Sequence, residues 1–223
     1  MQKLFTVIRQ GKLDEVERIL SKHPEAVNEV SGPKPKKDHG QSPLQVALKT
    51  GRLEIADYLM DHGADVNFME APDEDPGMRA PVLFDAISCA IESLCYKDFD
   101  TSEKAIPRIE RMLQEGADAN KKASNGMSPI GWTVWRAKYI IGSPTVYADS
   151  QEMVRKQAAR ILDLLLEYGA DFKAWADEKE GRSSTNRSFY LNDYKPKDEN
   201  DTDKLKDLRV FLQDYVRSRN LQI

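Results

Sequence analysis

At 223 residues and 25.3 kDa, with 40% hydrophobic residues, the chain holds enough apolar material for a continuous core in one larger domain or two small ones. Lysine and arginine number 33 against 37 acids, giving a net charge of −4 and a pI near 5.5, and no long basic stripe offers itself to a row of phosphates. Nucleic acid is therefore not an expected partner, and with neither a leader-type apolar segment behind Met1 nor a run of about 18 apolar residues, no membrane is expected either and the cytoplasm is the expected location.

In chain order, Leu4-Phe5-Thr6-Val7-Ile8 opens a short helix and Leu13, nine residues on, begins a second. A loop over 29–41 follows, basic through Lys34, Lys36 and Lys37. Ser42 then caps a helix with Pro43 in its first position, where the missing N–H costs nothing. The amphipathic run Leu53–Met60 is stopped by Gly63 in His62-Gly63-Ala64-Asp65-Val66-Asn67, since glycine takes the left-handed conformation that closes a helix. An acidic loop over 68–80 carries Glu70, Asp73, Glu74 and Asp75.

Leu83-Phe84-Asp85-Ala86-Ile87, a match to the segment at Leu4, opens the third pair, whose second helix, Ile106 to Leu113, ends at Gly116 in Glu115-Gly116-Ala117-Asp118-Ala119-Asn120. Ser128-Pro129 opens the fourth, and Ala159 to Leu166 ends at Gly169 in Tyr168-Gly169-Ala170-Asp171-Phe172. Residues 88–104 and 137–156 are insertions expected to lengthen the turns between paired helices. The first offers Thr101-Ser102-Glu103, ahead of Pro107, as an extra helical start; in the second, Gly142-Ser143-Pro144-Thr145 stops one helix and Asp149–Lys156 begins the next early. After a polar stretch, Asp177–Asp203, a last helix runs from Lys204 to about Ser218. Leu205, Leu208, Phe211, Leu212 and Tyr215 are expected to face the stack, with Lys206, Asp207, Arg209, Asp214 and Arg217 turned outward as a cap. Arg9, Gln10, Lys12, Glu15, Glu17 and Arg18 make the first unit similarly polar, so both ends read as capped.

Gly40-Gln41-Ser42-Pro43-Leu44-Gln45-Val46-Ala47 resembles the T-P-L-H-x-A opening of the ankyrin repeat, and Gly51-Arg52-Leu53-Glu54-Ile55-Ala56 resembles its second-helix start. Leu44 and Leu53 are nine residues apart and Leu53 and Gly63 ten, the spacings of that family. Successive stop glycines, Gly63, Gly116 and Gly169, are 53 apart, far above the roughly 33 of a standard unit. Different insertions produce this equality: 14 residues between the helices plus six in the hairpin loop of the third unit, and 20 between the helices of the fourth. The resemblance implies an all-α solenoid of about four to five stacked helix-turn-helix units, in a single domain with units near 1–28, 38–67, 79–120 and 124–172 and a cap over 173–223.

It also implies a protein partner held on the concave face and hairpin tips. The matching positions are Asp38, His39, Gln41, Lys49 and Thr50 in the second unit and Ser124, Asn125, Met127, Trp135 and Arg136 in the fourth, with Arg9 and Gln10 extending the surface. The third unit departs from the opening motif, with Ala80-Pro81-Val82 before Leu83, and nothing is carried over to it. Trp132 is expected in the core; Trp135 reads equally as packing or as an exposed anchor.

No catalytic, metal or cofactor signature is present. His23, His39 and His62 lack metal-ligand spacing, and no phosphate-binding glycine loop or nucleophile elbow occurs. Cys89 and Cys95, about 240° apart around a helix, are expected to be buried free thiols. Asn186-Arg187-Ser188 and Asn200-Asp201-Thr202 match the glycosylation pattern by chance. The expected function is a protein-interaction module, monomeric, not an enzyme and without cofactors, in one concrete version a stand-alone inhibitor or immunity-type protein. The alternatives are an enzyme using Glu92, Asp98, Asp100 or Asp149 in the insertions, and a structural subunit of a homo-oligomer.

Overall fold

The computed structural model describes residues 2–33, 36–72, 77–177, 191 and 205–221. Lys34, Asp73, Glu74, Asp75, both glycosylation-like triplets and nearly all of the polar stretch before the last helix lie outside the described residues.

Helices come in antiparallel pairs: α1 (Gln2–Gln10) with α2 (Leu13–Leu20), α3 (Pro43–Lys49) with α4 (Leu53–Asp61), α5 (Val82–Glu92) with α6 (Phe99–Gln114), and α7 (Pro129–Ala137) with α8 (Ala148–Glu167). The first helices form one layer, α1 on α3 on α5 on α7, and the second helices another, α2 on α4 on α6 on α8. Among the described residues no strand occurs, only the isolated bridge of Met69 and Pro81. The fold is thus the all-α solenoid expected. Its core runs unbroken between the layers, through Leu4, Ile8, Leu44, Leu48, Leu59, Phe84, Ile87, Ile109, Ile130, Ile161 and Leu165.

Local chemistry sets each pair. Ser42 Oγ accepts from Gln45 N (3.2 Å) while Gln45 Oε1 accepts from Ser42 N (3.2 Å), so two donors at the start of α3 are satisfied reciprocally. Ser128 Oγ accepts from Gly131 N (3.2 Å) at the start of α7. Gly116, at φ 93°, ends α6 in the left-handed region and lets Ala117 N return to Met112 O (2.8 Å).

An asparagine then ties each unit to the next. Asn28 Nδ2 donates to Gly63 O (2.9 Å) and its Oδ1 accepts from Asp65 N (2.8 Å). Asn67 makes the same pair of bonds to Gly116 O (2.7 Å) and Asp118 N (2.9 Å), and Asn120 to Gly169 O (2.8 Å) and Asp171 N (2.9 Å). These rungs run in chain order, one unit to its successor.

The insertions lengthen the helices as expected, with Asp149–Lys156 inside α8 and Thr101–Glu103 inside α6. Most of their residues extend helices, so that α6 has 16 residues and α8 has 20 where α4 has nine. The added turns of α6 and α8 bury Ser102 and Ser150, and the connecting segments bury Leu94, Ile140 and Ile141, which join the same continuous core. Helix α6 starts at Phe99, not Thr101: Asp98 Oδ1 accepts from Thr101 N (3.0 Å), and Pro107 lies inside the helix. Lys97 Nζ sits 3.7 Å from the Tyr147 ring and 3.4 Å from Asp149, which joins the two insertions to each other.

Ion pairs link the second-helix layer. Arg108 engages Asp57, Arg111 reaches Asp61 (2.6 Å), and Glu103 holds Lys156 (2.9 Å) and Arg160 (2.6 Å). Those last two donors hold the Glu103 carboxyl down to about 2.

A short helix absent from the expected elements, α9 (Phe172–Asp177), continues the first-helix layer against α7 and buries Phe172 and Trp175. The last helix, α10 (Lys206–Ser218), buries Leu208, Leu212 and Tyr215, while Leu205 and Phe211 are partly covered. Asp163 on α8 accepts from Tyr215 Oη (2.8 Å) and from both Arg219 nitrogens (3.0 and 2.7 Å). Burial pushes that carboxyl up, but these bonds outweigh it and leave it below its ordinary value. One expectation for this helix fails: Arg209 is buried, 9% exposed, because it lies one residue from Leu208 on the covered arc.

Candidate functional site

The first helices present a concave surface, and a groove lies in it where α5 forms the floor. Lys49 and Thr50 at the end of α3 form one wall, Trp132 and Arg136 of α7 the other, and the turn through Ser93, Tyr96 and Thr101 closes one end. The resulting groove has a volume of about 410 Å³ and opens to solvent.

An aromatic file crosses this wall. Phe84 stacks on Trp132 (4.9 Å), Trp132 on Trp135 (5.0 Å), and Trp135 meets Tyr139 edge-on (5.1 Å). The spacing of α7 creates it, since positions three and four apart share a helix face. Trp132 Nε1 donates to Phe84 O (3.1 Å) and Ser88 Oγ (3.0 Å), which fixes the indole between the helices. Arg136 lies over both indoles, 4.2 Å from Trp132 and 4.8 Å from Trp135, and pairs with Glu92 (2.7 Å). Burial pushes its guanidinium below the usual value and Glu92 and Asp85 pull it back; its Nε finds no acceptor among the described residues. Tyr96, at 86% exposure, stands at the mouth.

The residues named from the sequence fall into three groups. Lys49, Thr50, Trp135 and Arg136 gather on the groove and its wall, with Trp135 half-buried in the aromatic file. His39, Ser124 and Asn125 lie along the hairpin edge, whereas Gln10 is exposed at the end of α1 beside the turn into α2; Ser124 Oγ accepts from Arg79 N (2.9 Å), and Asn125 Nδ2 contacts Met78 Sδ (3.1 Å). Asp38, Gln41 and Met127 are buried, at 0%, 4% and 6% exposure, and offer no surface. Asp38 is closed off by Arg9, which binds it through two guanidinium nitrogens, and Gln41 Nε2 donates to Glu70 (2.6 Å). Arg9 is thereby held at the loop base and only half-exposed.

Asp85 went unremarked as a site residue because the third unit lacks the opening motif. Aligning Leu83 with Leu44 and Ile130 places Asp85 in register with Val46 and Trp132, on the groove floor. Its carboxylate accepts from Gln45 Nε2 (3.0 Å), and burial, followed by the charge of Glu70, pushes it up to about 7.

Of the carboxylates of the enzyme alternative, Glu92 and Asp98 line the groove while Asp100 and Asp149 lie outside it, and each has a partner. Glu92 pairs with Arg136, Asp98 caps α6, Asp100 holds Lys104 (2.6 Å), and Asp149 reaches Lys97. Among the described residues no group of three or more His, Cys, Asp or Glu could hold a metal ion, and no helix is long and apolar enough to cross a membrane.

The cysteines are free, but only Cys89 is buried; Cys95 is exposed because it sits on the short turn Ser93–Tyr96 outside the helical layers. Burial pushes the Cys89 thiol up to about 12. In the native protein at pH 8 an aromatic disulfide reagent should titrate one thiol, Cys95, and the second only after denaturant is added. Two thiols reacting at similar rates before unfolding would contradict this placement.

Against known proteins, a family model described as ankyrin repeats (3 copies) matches residues 2–70. No curated protein gives a match. The helix pairs beyond residue 70 continue the same stack with the same glycine stops and asparagine rungs. Repeats of this kind are in general protein–protein interaction modules.

Proposed function

We propose that this chain, an ankyrin-repeat protein, binds a folded protein partner along its concave face and hairpin edge, and acts as a stand-alone inhibitor or immunity-type protein of the cytoplasm. The observation that carries this reading is the groove of about 410 Å³ walled by a file of aromatic rings with a guanidinium laid over them. Tryptophan, tyrosine and arginine are the side chains that dominate interface energetics, and here they are rigidly held before any partner arrives. Lys49, Thr50, Trp135 and Arg136 form the centre, His39, Ser124 and Asn125 the hairpin edge and Gln10 the end of α1, and Arg9 braces the loop base. Two free thiols with no disulfide between them suit a reducing compartment.

The test begins with a partner recovered from the native host and its affinity for purified protein. Replacing Trp135 and Arg136 together by alanine should weaken that affinity at least tenfold, or about 1.4 kcal/mol. Tyr96→Ala, at the exposed ring that stands at the mouth of the groove, should weaken it several-fold with the thermal midpoint unchanged. Unaltered affinity in both variants refutes the placement on this face.

A further inference from the structure

Resting on the groove as the binding face, we propose that the partner inserts a basic side chain, lysine or arginine, whose cation pairs with Asp85 on the floor. Asp85 lines the groove, yet its carboxylate is supported by one amide, Gln45 Nε2 at 3.0 Å, and no lysine or arginine among the described residues pairs with it. Glu70 stands behind it, bonded to Gln41 Nε2 (2.6 Å) and Ala80 N (2.9 Å) and likewise without a cation. The nearest positive charges are engaged elsewhere. Lys49 Nζ donates to Lys37 O (3.3 Å), and Arg136 pairs with Glu92 at 2.7 Å.

A half-buried carboxylate with no cation paired to it and a second carboxylate nearby is an arrangement that folding alone does not favour. Each class of guest side chain meets it differently. An acidic guest would face Asp85 and Glu70 together. An apolar guest would strip the remaining water from Asp85 and return nothing. A cationic guest neutralises the carboxylate, while the Phe84 and Trp132 edges line the path for its alkyl stem. The volume, about 410 Å³, admits a long side chain with the main chain that carries it, and Ser88 lines the groove one turn further along α5.

The experiment selects random linear peptides displayed on phage against the full chain, then measures synthetic copies of the recovered peptides by calorimetry. Recovered peptides should share a lysine or arginine. Changing that residue to glutamine, or the protein by Asp85→Asn, should each weaken binding at least tenfold, and the two changes together should weaken it little further. Asp85→Asn keeps the shape and the Gln45 bond, and its thermal melt checks that the fold is intact. Peptides that lose affinity with Arg136→Ala but not with Asp85→Asn would overturn the cation and leave the groove reading standing. Peptides indifferent to both variants, or a selection that recovers none, would count against the groove as well.

Discussion

Replacing Phe84 by alanine should lower the unfolding free energy by about 3–5 kcal/mol, the largest single-residue loss expected in this protein. Phe84 is 1% exposed on α5, the central first helix, which packs between α3 and α7. Its ring stacks on Trp132, and its carbonyl receives the Trp132 indole N–H. The substitution would therefore open a cavity and also remove the support of the aromatic file that walls the groove. Since adjacent units stabilise each other chiefly through shared interfaces, damage at the middle of the stack should reduce the cooperativity of urea unfolding as well as its midpoint. Phe84→Leu, which keeps much of the volume, should cost far less. A loss under about 1 kcal/mol for alanine, with an unchanged denaturant slope, would mean that Phe84 is not the keystone described.

Asp85→Asn should act in the opposite direction and depend on pH. The carboxyl titrates near 7 in the folded chain against an ordinary value of 3.8, so the native state binds its proton more tightly than the unfolded state does. Native stability therefore falls as pH rises through that window, because only the folded chain must lose the proton at a cost. Asparagine has no proton to lose. The variant and the parent should be nearly equal in stability below about pH 4, and the variant should gain progressively to about 2 kcal/mol above pH 7. That figure is roughly half of what the full displacement would give, since Asp85 borders a solvent-filled groove that screens it. Paired thermal melts across this range measure it. A variant less stable than the parent at pH 8 would show that the carboxylate contributes to the fold rather than burdening it.

Much of the architecture could be read from residue order alone because helix stops and starts are local. Gly63, Gly116 and Gly169, and the Ser-Pro openings at 42–43 and 128–129, are fixed by backbone conformation and capping within a few residues. What escaped depended on distance in sequence. Helix starts in both insertions were legible, but α6 begins at Phe99, two residues before the start read at Thr101, and the added turns of α6 and α8 pack on each other, a tertiary gain that no local pattern shows. Asp38, Gln41 and Met127 occupy positions that face outward in a regular repeat. Here a longer basic loop folds Asp38 under Arg9, and the neighbouring hairpin brings Glu70 onto Gln41. Asp85 was missed for the converse reason: its own unit lacks the opening motif, and only the register with Val46 and Trp132 places it on the floor. Helix α9 is a single short turn-and-a-half whose apolar residues, Phe172 and Trp175, lie outside the repeating pattern.

The asparagine rungs give the solenoid a direction. Asn28, Asn67 and Asn120 each reach forward to a glycine carbonyl and an aspartate amide that exist in place only when the following helix pair has already closed. A pair that opens in the middle thus releases two rungs, whereas one that opens at either extremity releases one. Thermal breathing is thereby steered to the ends, and the central floor around Asp85 is the last part of the molecule to lose its shape.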